Sequence, residues 1–166
     1  MKRIITVIIS LIYAATLHAS ETGQQPAIDA AWFKAHYVKN EYMIPMRDGI
    51  RLYTAVYTPK NRRSHHPILL TRTPYGCGPY GRRNASFWQQ AIFEDYLRAD
   101  YIIVFQDVRG RWRSEGEFVN IRPYVADKSS GAIDESSDTY DTVEWLLRKL
   151  KCHNGRVGVF GNSYSG

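Results

Sequence analysis

The hexapeptide Gly161-Asn162-Ser163-Tyr164-Ser165-Gly166 directly follows the short strand-forming stretch Arg156 to Phe160. A serine in a tight turn between a strand and a helix is held in a strained backbone conformation that exposes its hydroxyl for attack on a carbonyl carbon. Such a turn needs small neighbours, because a bulky side chain two residues away would clash inside it. Gly161 meets that need on one side, whereas Ser165 stands where the G-x-S-x-G pattern has its second glycine and Gly166 comes one residue later. Taken alone, the string fits a turn that merely closes a strand equally well. The chemistry it points to is acyl transfer through an ester on Ser163.

Other groups with chemical potential are weaker. Arg109, Arg111 and Arg113 with Trp112 have the composition of a nucleic-acid patch, but Glu115 and Glu117 interrupt it, and no nucleic-acid partner is expected. Asp134, Glu135, Asp138 and Asp141 could be mistaken for a calcium cluster; their place at a helix start favours capping and dipole stabilisation. His65, His66 and His153 lack metal-ligand spacing, and His153 lies near the wrong end of its strand to serve Ser163. No Cys/His pattern builds a zinc site, so neither metal nor cofactor is expected. Cys77 follows the carboxyl end of one strand and Cys152 precedes the amino end of another, which separates them too far for a disulfide even in an oxidising compartment.

Positioning Ser163 requires a sheet. The 166 residues are 44 % apolar, 13 % aromatic and 23 % charged, a globular composition about one domain long. Met1 to Ala19 has a basic start, Lys2-Arg3, and an apolar stretch from Ile4 to Ala15 broken only by Thr6 and Ser10. It reads as a cleaved signal peptide for a periplasmic or secreted protein with no membrane span left after cleavage. The 22 Lys and Arg less those two, against 16 Asp and Glu, lower the net charge from +6 to +4. That is weak evidence for any polyanionic partner.

Residues 20–36 are expected as a polar leader and a short helix, with Ile28, Ala31, Trp32 and Ala35 on its apolar side. Residues 37–166 hold the folded domain. Tyr37 to Met46 and Ile50 to Thr58 form a hairpin around Arg47-Asp48-Gly49. Ile68-Leu69-Leu70 is a buried strand, and Pro74 to Arg83 is loop. A helix over Ser86 to Ala99 carries Trp88, Ile92 and Tyr96 on one stripe, with Ser86 and Gln89 as a capping box. Tyr101 to Phe105 is a central strand, and Arg109 to Gly131 is irregular. Val143, Leu146, Leu147 and Leu150 mark an amphipathic helix that Asn154-Gly155 stops, and Arg156 to Phe160 is the last strand. A hairpin followed by alternating strands and helices means an α/β fold, with a parallel sheet and helices on its faces.

Several phrases sharpen this. Met46-Arg47-Asp48-Gly49-Ile50-Arg51-Leu52, Thr71-Arg72-Thr73-Pro74-Tyr75-Gly76 and Phe105-Gln106-Asp107-Val108-Arg109-Gly110 come first. Ser114-Glu115-Gly116-Glu117-Phe118, Arg122-Pro123 and Asp134-Glu135 follow. Last are Asp141-Thr142-Val143-Glu144-Trp145-Leu146, Gly155-Arg156-Val157-Gly158 and the serine motif. In that order they resemble the N-terminal part of the Xaa-Pro dipeptidyl-peptidase-like serine hydrolases, the group of cocaine esterase, glutaryl acylases and α-amino acid ester hydrolases. The last of these are the most similar. The resemblance implies an α/β-hydrolase fold with Ser163 as nucleophile. It further implies that the Tyr164 backbone N–H and the Tyr75 side-chain hydroxyl are the oxyanion donors, with Asp107 and Arg109 as structural partners.

The substrate implied is a small ester, amide or peptide, cleaved in the manner of an α-amino acid ester hydrolase or acylase. A dipeptidyl peptidase or carboxylesterase is the alternative. In this fold the triad runs Ser, acid, His along the chain, so the last two are expected beyond residue 166. The segment alone is then expected to be an inactive fragment of a longer hydrolase; a non-catalytic truncated product is the reading from another class.

Overall fold

A computed structural model describes residues 26–61, 64–82 and 90–165. The expected signal peptide, nearly all of the leader, the Ser86/Gln89 capping box with Trp88, and Gly166 lie outside the described residues. So does the side chain of Ile92.

Helix α1 (Ala30–His36) leads into strands β1 (Tyr37–Pro45) and β2 (Arg51–Pro59), followed by β3 (His66–Thr73), α2 (Gln90–Arg98), β4 (Ile102–Asp107), α3 (Glu135–Lys149) and β5 (His153–Val159). One turn of 3₁₀ helix, Ser163–Ser165, closes the described chain. The sheet order is β1-β2-β4-β3-β5. β1 and β2 are antiparallel and so are β2 and β4, while β3 runs parallel to both β4 and β5. This is the expected hairpin feeding a parallel sheet. At the hairpin, Gly49 has φ +84°, a conformation that only glycine adopts without strain.

Period-2 alternation divides the core between the two faces of the sheet. Tyr53, Ala55 and Tyr57 of β2, Leu69 of β3, and Ile103 and Phe105 of β4 face Phe33 of α1 and Phe93 and Leu97 of α2. Leu52, Val56, Ile68, Leu70, Ile102 and Val104 face the other way, against Leu146 and Leu150 of α3. Burying each large apolar side chain contributes about 1.5–3 kcal/mol.

Four details depart from the sequence reading. In α1 the buried residue is Phe33, stacked on Tyr37 at 5.2 Å; Ile28 and Trp32 pack beside it as expected, whereas Ala31 and Ala35 are exposed. In α2 it is Phe93 and Leu97 that are buried, because Phe93 meets Phe105 and Phe160 edge-on; Tyr96 is 36 % exposed. α3 ends at Lys149, before Asn154-Gly155, and that pair lies inside β5. Gly155 has φ +81° beside an irregularity in the β3–β5 register, so the glycine accommodates a bulge rather than stopping a helix. Finally, Asp107 and Arg109 bond to other groups, not to each other.

Those bonds form a polar layer at the carboxyl end of the sheet. Arg109, 4 % exposed, donates from Nε and Nη2 to Asp138 at 3.0 and 2.7 Å, and from Nη1 to Asp48 at 2.7 Å. Burial disfavours its charge, but the hydrogen bonds and charges of Asp138 and Asp48 outweigh that and push its pKa up. Arg72 donates to Gln106, to the Glu135 carboxylate and to Thr139. Gln106, fully buried, donates in turn to Thr54 and Thr142. Of the four acidic residues at the start of α3, Asp134 is the N-cap in a capping box with Ser137. Asp138 and Asp141 instead hold Arg109 and Arg47, and Glu135 holds Arg72. Among the described residues no group of His, Cys, Asp and Glu is placed to hold a metal ion, and no helix is long and apolar enough to cross a membrane.

Candidate active site

The serine motif emerges where β5 ends. Phe160 donates its N–H to the Leu70 carbonyl at 2.9 Å, the last tie to β3 before the chain turns away. Three residues later Ser163 has φ +60° and is exposed. A non-glycine residue in this region costs of order 1–2 kcal/mol. Strain of this kind persists only where the surroundings impose it. Ser165 donates its N–H to the Asn162 carbonyl at 3.3 Å, which closes the turn around Ser163 and Tyr164.

Tyr75 lies on the loop after β3, on the same edge of the sheet. It is 68 % exposed, and its ring meets the Tyr164 ring edge-on at 6.5 Å. Tyr164 also faces Phe118 at 6.4 Å, and its hydroxyl accepts the Ile121 N–H at 3.4 Å. Thus two residues 89 positions apart in sequence, Tyr75 and Tyr164, are neighbours beside Ser163. A cleft of about 280 Å³ next to them is lined by Arg72, Val108, Ile121, Glu135, Tyr164 and Ser165, among others.

The loop that carries Tyr75 is fastened from three sides. The buried Asp107 carboxylate accepts the Cys77 N–H at 2.8 Å and the Tyr80 hydroxyl at 3.0 Å. Burial and this carboxylate push the pKa values of the Cys77 thiol and the Tyr80 phenol well up, so both stay protonated at neutral pH. From β1, Lys39 donates to the Pro79 carbonyl at 2.6 Å, and Glu41 accepts the Gly81 N–H at 2.6 Å. From the loop after β4, Trp112 and Arg111 donate to the Pro74 carbonyl at 2.9 and 3.2 Å. That second loop is itself closed tightly at Gly110, where a Cβ would fall 2.1 Å from the Phe118 nitrogen.

The sequence reading gave Arg72 and Trp112 no place in organising this region, and paired Asp107 with Arg109 rather than with the Tyr75 loop. A signal existed for the first: an arginine between two threonines in an otherwise apolar buried strand needs a buried partner. His153 is held at the opposite end of β5 by the Leu147 carbonyl, 2.8 Å away. Cys77 and Cys152 are unbridged; Cys77 packs on one face of the sheet and Cys152 on the other.

Comparisons with known proteins agree on the kind of molecule this is. The sequence profile of the family described as X-Pro dipeptidyl-peptidase (S15 family) matches residues 48–166. Cocaine esterase from Rhodococcus sp. (strain MB1 Bresler) is 37 % identical over 131 residues, covering 78 % of this chain and 20 % of that protein. Among solved structures, an α-amino acid ester hydrolase is similar with a TM-score of 0.69 and 36 % identity, over 90 % of this chain and 25 % of that one. An aminopeptidase from a marine sediment archaeon, Thaumarchaeota archaeon, is similar with a TM-score of 0.68 and 37 % identity, over 88 % and 24 %. The chain therefore spans a fifth to a quarter of the length of these relatives. The sheet and its flanking helices are those of an α/β-hydrolase.

Proposed function

The chain belongs to the X-Pro dipeptidyl-peptidase (S15) family of hydrolases, and from that premise we propose that Ser163 is the nucleophile of an exported enzyme that cleaves esters or amides through an acyl-enzyme. The observation that carries this reading is the φ of +60° at an exposed serine immediately beyond a parallel strand. Ser163 Oγ attacks the substrate carbonyl carbon and its proton passes to a histidine. The carbonyl oxygen becomes an oxyanion that accepts the Tyr164 N–H and the Tyr75 O–H. Collapse expels the alcohol or amine, which takes the proton back from the histidine; water, deprotonated by the same histidine, then attacks the ester, and the acid leaves as Ser163 Oγ regains its proton. Donors placed before the charge develops act without reorganisation, and one of them is worth about 3–4 kcal/mol.

In this fold the acid and the histidine follow the serine in the chain, so the activity belongs to the whole protein that carries this segment. A serine without a base is a weak nucleophile, and residues 20–166 by themselves are proposed to be inactive. The favoured substrates are α-amino acid esters, by similarity to the α-amino acid ester hydrolase. The family's description and the similar archaeal aminopeptidase favour peptides as the second reading. Turnover of an α-amino acid methyl ester against an Xaa-Pro p-nitroanilide separates the two.

The nucleophile is tested in the whole protein. Ser163→Ala should lower kcat by about 10⁴-fold or more, and a fluorophosphonate probe should label Ser163. Labelling of another serine with Ser163 spared would overturn the assignment. Residues 1–19 are proposed to direct export to the periplasm or medium. N-terminal sequencing of protein from the native host should begin near Ser20, and recovery of intact residues 1–19 from the cytosol would refute it.

A further inference from the structure

Trp112 joins two features that do nothing for stability. It is 62 % exposed, and its backbone is left-handed with φ +50°. A bulky side chain rarely adopts that conformation, and an exposed ring forgoes most of its burial. Outliers of this kind are a reason to look for a role at a neighbouring site.

Two contacts of the indole fall on either side of Tyr75. Its N–H donates to the Pro74 carbonyl at 2.9 Å. Its ring lies over Gly76, φ +101°, where a Cβ would come 3.0 Å from Cε2 and 3.2 Å from Nε1. Gly76 thus leaves room for the ring, and the ring restrains the peptide units flanking Tyr75. On the near side, Arg111 also donates to the Pro74 carbonyl at 3.2 Å and the Tyr75 N–H donates to Thr73 Oγ1 at 3.1 Å, but neither reaches residue 76. The remaining fastenings act further along: Asp107 on residues 77 and 80, Lys39 on residue 79 and Glu41 on residue 81. These last hold the loop to the protein beyond Tyr75, and the indole is what restrains the peptide unit on its Gly76 side. The Tyr75 phenol is 68 % exposed, with the Tyr164 ring edge-on to it at 6.5 Å, so its direction depends largely on that backbone.

We infer that Trp112 is a positioning residue, which aims the Tyr75 hydroxyl by gripping residues 74 and 76. This rests on the reading of Tyr75 as an oxyanion donor. An oxyanion donor works only near its correct place, and a displacement of about 1 Å can cost about 10²-fold in rate.

The test is a double-mutant cycle in the whole protein, with p-nitrophenyl acetate as substrate and thermal melting measured on every variant. Tyr75→Phe should lower kcat about 10²–10³-fold. Trp112→Phe keeps a ring over Gly76 but loses the N–H, and should lower kcat about 10–10²-fold with KM changed less than about twofold. Added to Tyr75→Phe, it should cost less than about twofold more, because the hydroxyl it aims is already gone. If Trp112→Phe fails to melt cooperatively, Trp112→Tyr repeats the cycle, since it too lacks the indole N–H. Should Tyr75→Phe show its loss while the Trp112 variant is unaffected, or lose equally in both backgrounds, the positioning role is wrong and the oxyanion reading stands. An unchanged kcat in Tyr75→Phe would overturn the oxyanion reading and the positioning role together.

Discussion

The first halves of β3 and β4 and their carboxyl ends lie in the same sheet, a few residues apart, and are held by different forces. Ile68, Leu69 and Leu70 pair in register with Ile102, Ile103 and Val104, and all six are buried between helices. Two residues further on, Arg72 pairs with Gln106 and Thr73 with Asp107, equally buried but hydrogen-bonded and charged. Apolar packing is non-directional, so it tolerates small shifts; charged hydrogen bonds at about 3 Å fix position and angle. The sheet is thus built from a forgiving part and an exacting part, and the exacting part is the one from which the loops bearing Tyr75 and Trp112 depart.

The contrast can be broken by removing one anchor from each region. Asp138→Ala leaves Arg109 with only Asp48, and takes from Arg72 the carboxylate that lies 3.7 Å from its Nη2. Breaking a buried pair in this way costs about 3–5 kcal/mol. Leu70→Ala creates a cavity between the sheet and α3, at about 2–5 kcal/mol. Urea unfolding of the whole protein should place both losses in those ranges. The comparison is sharpened by activity: at urea concentrations where both variants remain folded, Asp138→Ala should lower kcat and Leu70→Ala should not. Equal effects on kcat would mean that the polar layer has no special bearing on the site.

A smaller effect should appear in acid. Burial alone would raise the Asp134 pKa, but the Lys128 ammonium, the Val125 and Ser137 N–H groups and the Ser136 hydroxyl hold it well below the usual range. Asp141 is likewise lowered against its burial, by Arg47. Both carboxyls sit lower in the folded than in the unfolded chain. Their stabilisation is therefore complete above the unfolded value of about 3.9 and is lost as pH falls through the folded values. Melting temperature should hold steady from neutral pH to about pH 5 and fall below about pH 4, and Asp134→Asn should flatten that fall. An unchanged slope in the variant would remove Asp134 from the account.

What could be read in the sequence follows the same division. Ile68-Leu69-Leu70, Tyr101 to Phe105 and the Val143/Leu146/Leu147/Leu150 spacing declare themselves, because apolar periodicity is a local signal and the forgiving part is made of it. The polar layer is not local. Arg109 finds Asp48 61 residues before it and Asp138 29 residues after it, and no window of sequence contains such a pair. The same holds for Trp112 and Pro74, 38 positions apart. The roles proposed for Ser163 and Tyr75 come from a motif and a resemblance, whereas the groups that pack around them emerge only from three-dimensional proximity. Local patterns also missed Phe33 in α1 and Phe93 in α2, which are buried against aromatic rings of the sheet, while Ile28 and Trp32 pack on the core as expected.

The strand order has a consequence for how the chain is made. β3 touches neither β1 nor β2; both of its neighbours, β4 and β5, come later in the sequence. On the ribosome the β1–β2 hairpin can close as soon as it emerges, while β3 must wait with Ile68, Leu69 and Leu70 uncovered until Asp107 has been synthesised. At about 5–20 residues per second that wait lasts a few seconds, and the second edge of β3 stays open until Val159 follows. Among the strands of the described sheet, the one that bears Arg72 and launches the Tyr75 loop therefore waits longest for its first partner, and a chaperone that binds short apolar stretches has that interval in which to reach it.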